Sequence, residues 1–86
     1  MNADEVITRL RAIWAEVLKV PSVADDAHFV EAGGDSIAAV LCVHAVADAF
    51  DVELPQEVLY LDDTTLATCA DMISHMLTDA KEDVVA

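Results

Sequence analysis

Positive charge is almost missing from this chain. Arg9, Arg11, Lys19 and Lys81 are its only cations, set against 17 acids, for a formal net charge of −13 over 86 residues. Nucleic acid is excluded as a partner, because binding a phosphate backbone takes clustered Lys and Arg. An anionic membrane surface is disfavoured on the same ground. Partners with basic patches would instead be steered toward the chain, and the acidity also serves solubility. Backbone breakers are equally scarce. Two glycines and two prolines leave the chain free to form long helices. The two cysteines, Cys42 and Cys69, fall in apolar helical patterns, so they read as buried thiols rather than a disulfide, which suits a reducing compartment. No basic and apolar leader opens the sequence, and no apolar run nears the length of a membrane span. A discrete cytoplasmic protein of one small domain, a monomer, is expected.

What the chain has is apolar residues, 56% of the total, at helical rather than alternating spacing. Asn2 and Glu5 have the spacing of a capping box. A first helix from Ala3 to Lys19 should follow, with Val6, Ile7, Leu10, Ile13, Trp14, Val17 and Leu18 on one stripe. Val20-Pro21 ends it, because the residue before proline avoids the helical region. The long loop from Val20 to Asp35 is of a length that is often functional. Asp25-Asp26 marks a turn in it, and Phe29 and Val30 are expected to anchor it to the core. The second helix runs from Ser36 to about Phe50. Pro55 opens a short helical segment, Gln56 to Leu61. Asp62-Asp63-Thr64-Thr65 caps the last helix, whose stripe is Leu66, Cys69, Ala70, Ile73, Met76 and Leu77, ending near Asp79. The expected fold is all-α: a small four-helix bundle, antiparallel, of three long helices and one short helix, with a long loop between helices I and II. Its ordered core spans 3–79, and the acidic tail 80–86 is expected to fray.

The second helix is apolar nearly all round. Ala39, Val43, Val46 and Phe50 make one face, and Ile37, Val40, Leu41, His44 and Ala47 much of the rest. A helix in so short a chain cannot be buried on every side. Its excess apolar face is either offered to a partner or covered by the long loop, and the first is expected.

The chain is organised around Gly33-Gly34-Asp35-Ser36-Ile37. The glycines free the backbone for a tight approach, and Asp35 is a good N-cap for the apolar run after it. One hydroxyl, that of Ser36, is left at the positive end of a helix, a place suited to an anionic group. Catalytic readings of that serine are weak. His44 lies on the same helix, about 12 Å further along its axis, so it cannot act as the base. His28 in the loop can approach, yet no nucleophile-elbow pattern surrounds Ser36. His28, His44 and His75 are too scattered for a metal site, and the glycine pair lacks the lysine of a phosphate-binding loop. A serine that is modified rather than catalytic remains.

Here the sequence resembles a known family. Ile13-Trp14-Ala15-Glu16-Val17-Leu18 is similar to the helix I motif of peptidyl carrier proteins, within the acyl carrier protein superfamily. Phe29 followed by Gly33-Gly34-Asp35-Ser36-Ile37 resembles their modification motif. Leu54-Pro55, Leu59-Tyr60, Leu66-Ala67 and Ile73 extend the likeness over most of the chain. There are departures: the family often has a second aromatic where His28 stands, and Leu where Ala32 precedes the glycines. The resemblance implies a thiolation domain of nonribosomal peptide synthesis. In it, a phosphopantetheinyl transferase moves 4′-phosphopantetheine from coenzyme A to the Ser36 hydroxyl, with Gly33, Gly34 and Asp35 shaping the site. The arm would hold an aminoacyl or peptidyl group as a thioester, loaded by an adenylating enzyme and presented to condensation, acyltransferase or tailoring enzymes. The domain itself would make no bond. Ile37, Val40, Leu41, His44 and Tyr60 would meet these partners, the helical residues as an anchor at i, i+3, i+4, i+7 spacing. Two alternatives stay open: a carrier of polyketide or fatty-acid synthesis, and an acidic helical interaction module that carries no arm.

Overall fold

The computed structural model describes residues 2–85, with side chains through Thr78. The element order is α1 (Ala3–Leu18), α2 (Ser36–Phe50), a short 3₁₀ helix (Gln56–Tyr60) and α3 (Leu66–Val85). Among the described residues no strand forms; His28 and Thr65 make one isolated antiparallel bridge. The all-helical expectation holds, with three long helices and one short one.

Each boundary has a local cause. Asn2 Oδ1 accepts from the Glu5 N–H at 2.8 Å and starts α1. At the other end Lys19 turns left-handed (φ 59°), and the N–H groups of Lys19 and Val20 reach the carbonyls of Glu16 and Ala15, a Schellman closure made with lysine instead of glycine. Thr65 caps α3: its Oγ1 accepts from the Thr68 N–H at 3.2 Å while Thr68 Oγ1 accepts from the Thr65 N–H at 2.7 Å. This is a capping box with threonine in the returning position. α3 continues to Val85 rather than ending near Asp79. No glycine or proline follows Pro55, so nothing in the backbone stops it. The side chains of 79–85, and all of Ala86, lie outside the described residues, and the expected fraying of 80–86 falls there.

The predicted stripes form the core. Val6, Leu10 and Trp14 of α1, Leu66, Cys69, Ala70 and Ile73 of α3, and Ala38, Ala39, Cys42, Val46 and Phe50 of α2 are buried together, with Val52, Leu54 and Leu59 from the connector and the 3₁₀ helix. Val43, expected on the inner face of α2, is only half-buried; Ala38 and Cys42 take that position. α1 packs against both α2 and α3, and the 3₁₀ helix lies on α2. Cys42 and Cys69 are free and buried. Burial pushes both thiols up to about 12, and their mutual proximity adds to the effect on Cys42. No helix among the described residues is long and apolar enough to cross a membrane.

Candidate functional site

Between Leu18 and Ser36 the chain has no helix of its own, so its shape must come from what it touches. Val23 and Phe29 are its buried anchors. Val30, expected beside Phe29 in the core, is instead 50% exposed. The segment from His28 to Gly33 is a tight turn, with the Ala32 N–H bonded to His28 O and the Gly33 N–H to Val30 O. Consecutive side chains there point different ways, and Phe29 takes the inward place. Its ring stands edge-on to Trp14, centroids 5.1 Å apart at 77°, a favourable aromatic geometry. Where the family often has a second aromatic, His28 bridges to Thr65 through its backbone.

The glycines do different jobs. Gly33 has φ +104° and open space around the place of a Cβ, so its requirement is conformational. Gly34 lies on the Phe29 ring: a Cβ there would overlap the ring and come within 2.7 Å of Phe29 O, the same oxygen that accepts from the Gly34 N–H at 2.9 Å. Gly34 thus lets the chain cross directly over the buried ring and enter α2.

At that entry Asp35 is extended, and its Oδ1 accepts from the Ala38 N–H at 2.8 Å. Its carbonyl takes the Ala39 N–H at 2.9 Å. The N–H groups of Ser36 and Ile37 are left without helical acceptors, as at any helix start. No acid lies in the first turn of α2, so Asp35 alone offsets the positive end of the dipole. The Ser36 side chain is exposed. An accessible hydroxyl beside free N–H groups, on a backbone pinned from both sides, fits a covalently held phosphodiester.

Gly33, Gly34, Asp35 and Ser36 therefore form one continuous stretch that leads into α2. The anticipated recognition residues are also together on the surface: Ile37 is 71% exposed, Leu41 52% and Val40 42%, with His44 exposed one turn further on. Exposure rather than cover by the loop is what the structure shows for this face. Tyr60 is exposed on the 3₁₀ helix, with its hydroxyl accepting from Gln56 Nε2 at 3.0 Å. A shallow groove of about 180 Å³ joins it to the loop, lined by His28, Val30, Glu31, Tyr60, Leu61 and Asp62. Leu61, 53% exposed, was not anticipated, because the periodicity placed it inside a helical segment that in fact ends at Tyr60.

Arg11 also escaped the sequence reading. It lies off the apolar stripe of α1, and no spacing in the sequence singles it out. Its Nη1 donates to Val23 O at 2.6 Å, and its Nη2 pairs with Asp25 Oδ1. Only the tertiary position of the loop reveals this. Among the described residues, no three His, Cys, Asp or Glu side chains come together to hold a metal.

The phosphopantetheine attachment site family matches residues 8–73. The chain is 32% identical over 82 residues to a non-canonical nonribosomal peptide synthetase of Cladobotryum, FrzA, and 38% identical over 61 residues to tyrocidine synthase 3 of Brevibacillus parabrevis. It spans 93% and 71% of its own length in these matches, but 8% and 1% of those proteins. Among solved structures it is similar to BlmI, a type-II acyl carrier protein from Streptomyces verticillus involved in bleomycin biosynthesis: TM-score 0.79, 32% identity, covering 87% of this chain and 89% of that one. It is also similar to a chain in the complex of the phosphopantetheine transferase Sfp with coenzyme A and a peptidyl carrier protein: TM-score 0.75, 28% identity, covering 81% and 90%. With its fold and its motif in agreement and the family match running over residues 8–73, the chain belongs to the phosphopantetheine attachment site family and is a carrier domain homologous to the thiolation domains of nonribosomal peptide synthetases.

Proposed function

We propose that Ser36 is the residue to which 4′-phosphopantetheine is attached, and that the domain carries an aminoacyl or peptidyl group for the enzymes of a natural-product pathway. The observation that carries the reading is the site itself: an exposed serine hydroxyl at the first position of α2, held there by the Gly34–Phe29 contact and the Asp35 cap. When bound, phosphopantetheine supplies a terminal thiol for a thioester. The chain does the rest. Ser36 Oγ would provide the ester link, and the N–H groups of Ser36 and Ile37, left without helical acceptors, would help hold the phosphodiester charge, which the dipole of α2 favours. Asp35 keeps that end of the helix formed. The domain makes and breaks no substrate bond; its work is presentation.

Ile37, Val40, Leu41 and His44 form the face read by an adenylating enzyme and downstream enzymes, with Tyr60 at its edge. This apolar stripe suits small interfaces that must exchange partners. The cargo is argued from the same helix. No acid lies between Ser36 and Ala47, whereas carriers of fatty-acid synthesis typically display carboxylates there. A cytoplasmic setting accords with two free thiols.

The test is the intact mass of the chain after incubation with coenzyme A and a promiscuous phosphopantetheinyl transferase. One phosphopantetheine on the native chain and none on Ser36→Ala is expected. No addition to the folded native chain, or addition that survives Ser36→Ala, removes the assignment. Loading assays with adenylating enzymes and with acyltransferases then separate amino acids from polyketide or fatty acyl groups.

A further inference from the structure

The loop before Ser36 is tied to α1 and α3, and one side chain, that of Arg11, makes the polar tie to α1. Arg11 Nη1 donates to the Val23 carbonyl at 2.6 Å and Nη2 pairs with the Asp25 carboxylate. From there the chain is fixed step by step. Asp25 O accepts from the Ala67 N–H at 2.9 Å and Ala27 O from the Leu66 N–H at 3.0 Å. His28 bridges to Thr65, Phe29 stands on Trp14, and Gly34 lies on Phe29. The next two residues are Asp35 and Ser36. Among the described residues, Arg11 is the only Lys or Arg in an ion pair.

The Arg11 and Asp25 side chains are 37% and 65% exposed, and ion pairs so open to water add little to stability. What the guanidinium supplies is geometry: its two nitrogens fix a backbone carbonyl and a side chain at once, in a way a point charge does not. We propose that Arg11 is a positioning residue for phosphopantetheinylation, clamping Val23 and Asp25 to α1 so that the loop leading to Ser36 keeps the arrangement the transferase accepts. The proposal rests on Ser36 as the acceptor. With the clamp removed, the loop divides its time among more arrangements. The apparent affinity for the transferase then falls by the fraction that remains competent. Once the transferase is bound, the Asp35 cap still sets the hydroxyl, so turnover is kept.

The test measures KM for the carrier and kcat separately, with coenzyme A and a promiscuous phosphopantetheinyl transferase. The variants are Arg11→Met, which keeps the stem and loses the donors, Arg11→Lys, and Met76→Ala as a destabilised control in α3. Arg11→Met is expected to raise KM about five-fold with kcat within about two-fold of the native value. Met76→Ala should leave KM unchanged even if it melts at a lower temperature than Arg11→Met. Arg11→Lys, which can reach one acceptor but not both in the same geometry, should recover part of the loss. An unchanged KM in Arg11→Met overturns the clamp, as does a rise no greater than that of Met76→Ala; the native chain is then still modified at Ser36. A native chain that takes no phosphopantetheine, or Ser36→Ala that does, overturns the acceptor reading and the clamp with it.

Discussion

Replacing Gly34 by alanine tests the packing on which the attachment loop depends. The added Cβ would overlap the Phe29 ring and approach Phe29 O to 2.7 Å. The ring cannot simply turn aside, because it is fully buried and edge-on to Trp14 at 5.1 Å. Overpacking of a core ordinarily costs about 1–3 kcal/mol. Here backbone and ring must both yield, and loss of part of the aromatic pair adds about 1 kcal/mol, so a cost of about 3 kcal/mol is expected. For a domain of this size that lowers the melting temperature by about 12–24 °C. The assay is urea unfolding followed by Trp14 fluorescence: the midpoint should fall while the m-value holds. Two companions isolate the cause. Gly33→Ala should cost only about 1–2 kcal/mol through its positive φ, since nothing lies within 4 Å of its Cβ. Phe29→Leu should make Gly34→Ala less harmful, the pair falling short of additivity by about 1 kcal/mol or more. A Gly34→Ala variant within about 0.5 kcal/mol of the native chain, or strict additivity with Phe29→Leu, would refute the reasoning.

Other outcomes follow from single features. Lys19→Gly should raise stability by up to about 1 kcal/mol, because Lys19 sits at φ 59° where glycine avoids the Cβ penalty; thermal unfolding checks this. Cys42 and Cys69, each raised by burial to about 12, should resist alkylation near neutral pH until the chain unfolds. The same burial gives an alkaline limit. Unfolded thiols ionise near 9 and folded ones only near 12, so the unfolded state loses protons first. Stability is then full below about pH 9 and falls as the pH rises toward 12, and the fall should shrink when both cysteines are alanine. Val40→Glu, on the exposed face of α2, should leave the far-ultraviolet spectrum and the modification of Ser36 intact while slowing transfer to partner enzymes; unchanged transfer rates remove that face from the interface.

The helices were readable because their causes are local. Caps at Asn2, Asp35 and Thr65, and stripes such as Val6, Leu10 and Trp14, are written within a turn or two of chain, and each lies where its pattern places it. The place of Ser36 at the start of α2 was readable for the same reason, as a hydroxyl just after an N-cap. The loop was not. Val30 and Phe29 are equally apolar neighbours, and which of them turns inward is decided by the aromatic ring of Trp14 and the crossing of Gly34, neither of which a periodic pattern records. Arg11 and Val23 meet across 12 positions, with no spacing rule to announce them. The end of α3 failed in the opposite way: the apolar stripe fades near Asp79, but backbone without a breaker stays helical after its stripe has stopped.

The first turn of α3 takes two of its acceptors from a distant part of the chain, the Asp25 and Ala27 carbonyls receiving the Ala67 and Leu66 N–H groups. Those two amide hydrogens can exchange with deuterated water only when the attachment loop lifts away, whereas the next two, held by Thr65 itself, exchange when the helix end frays. The helix thus carries its own gauge. A difference in exchange between Leu66–Ala67 and Thr68–Cys69 reads loop undocking separately from helix opening. It can be followed through attachment, loading and unloading without a label near Ser36.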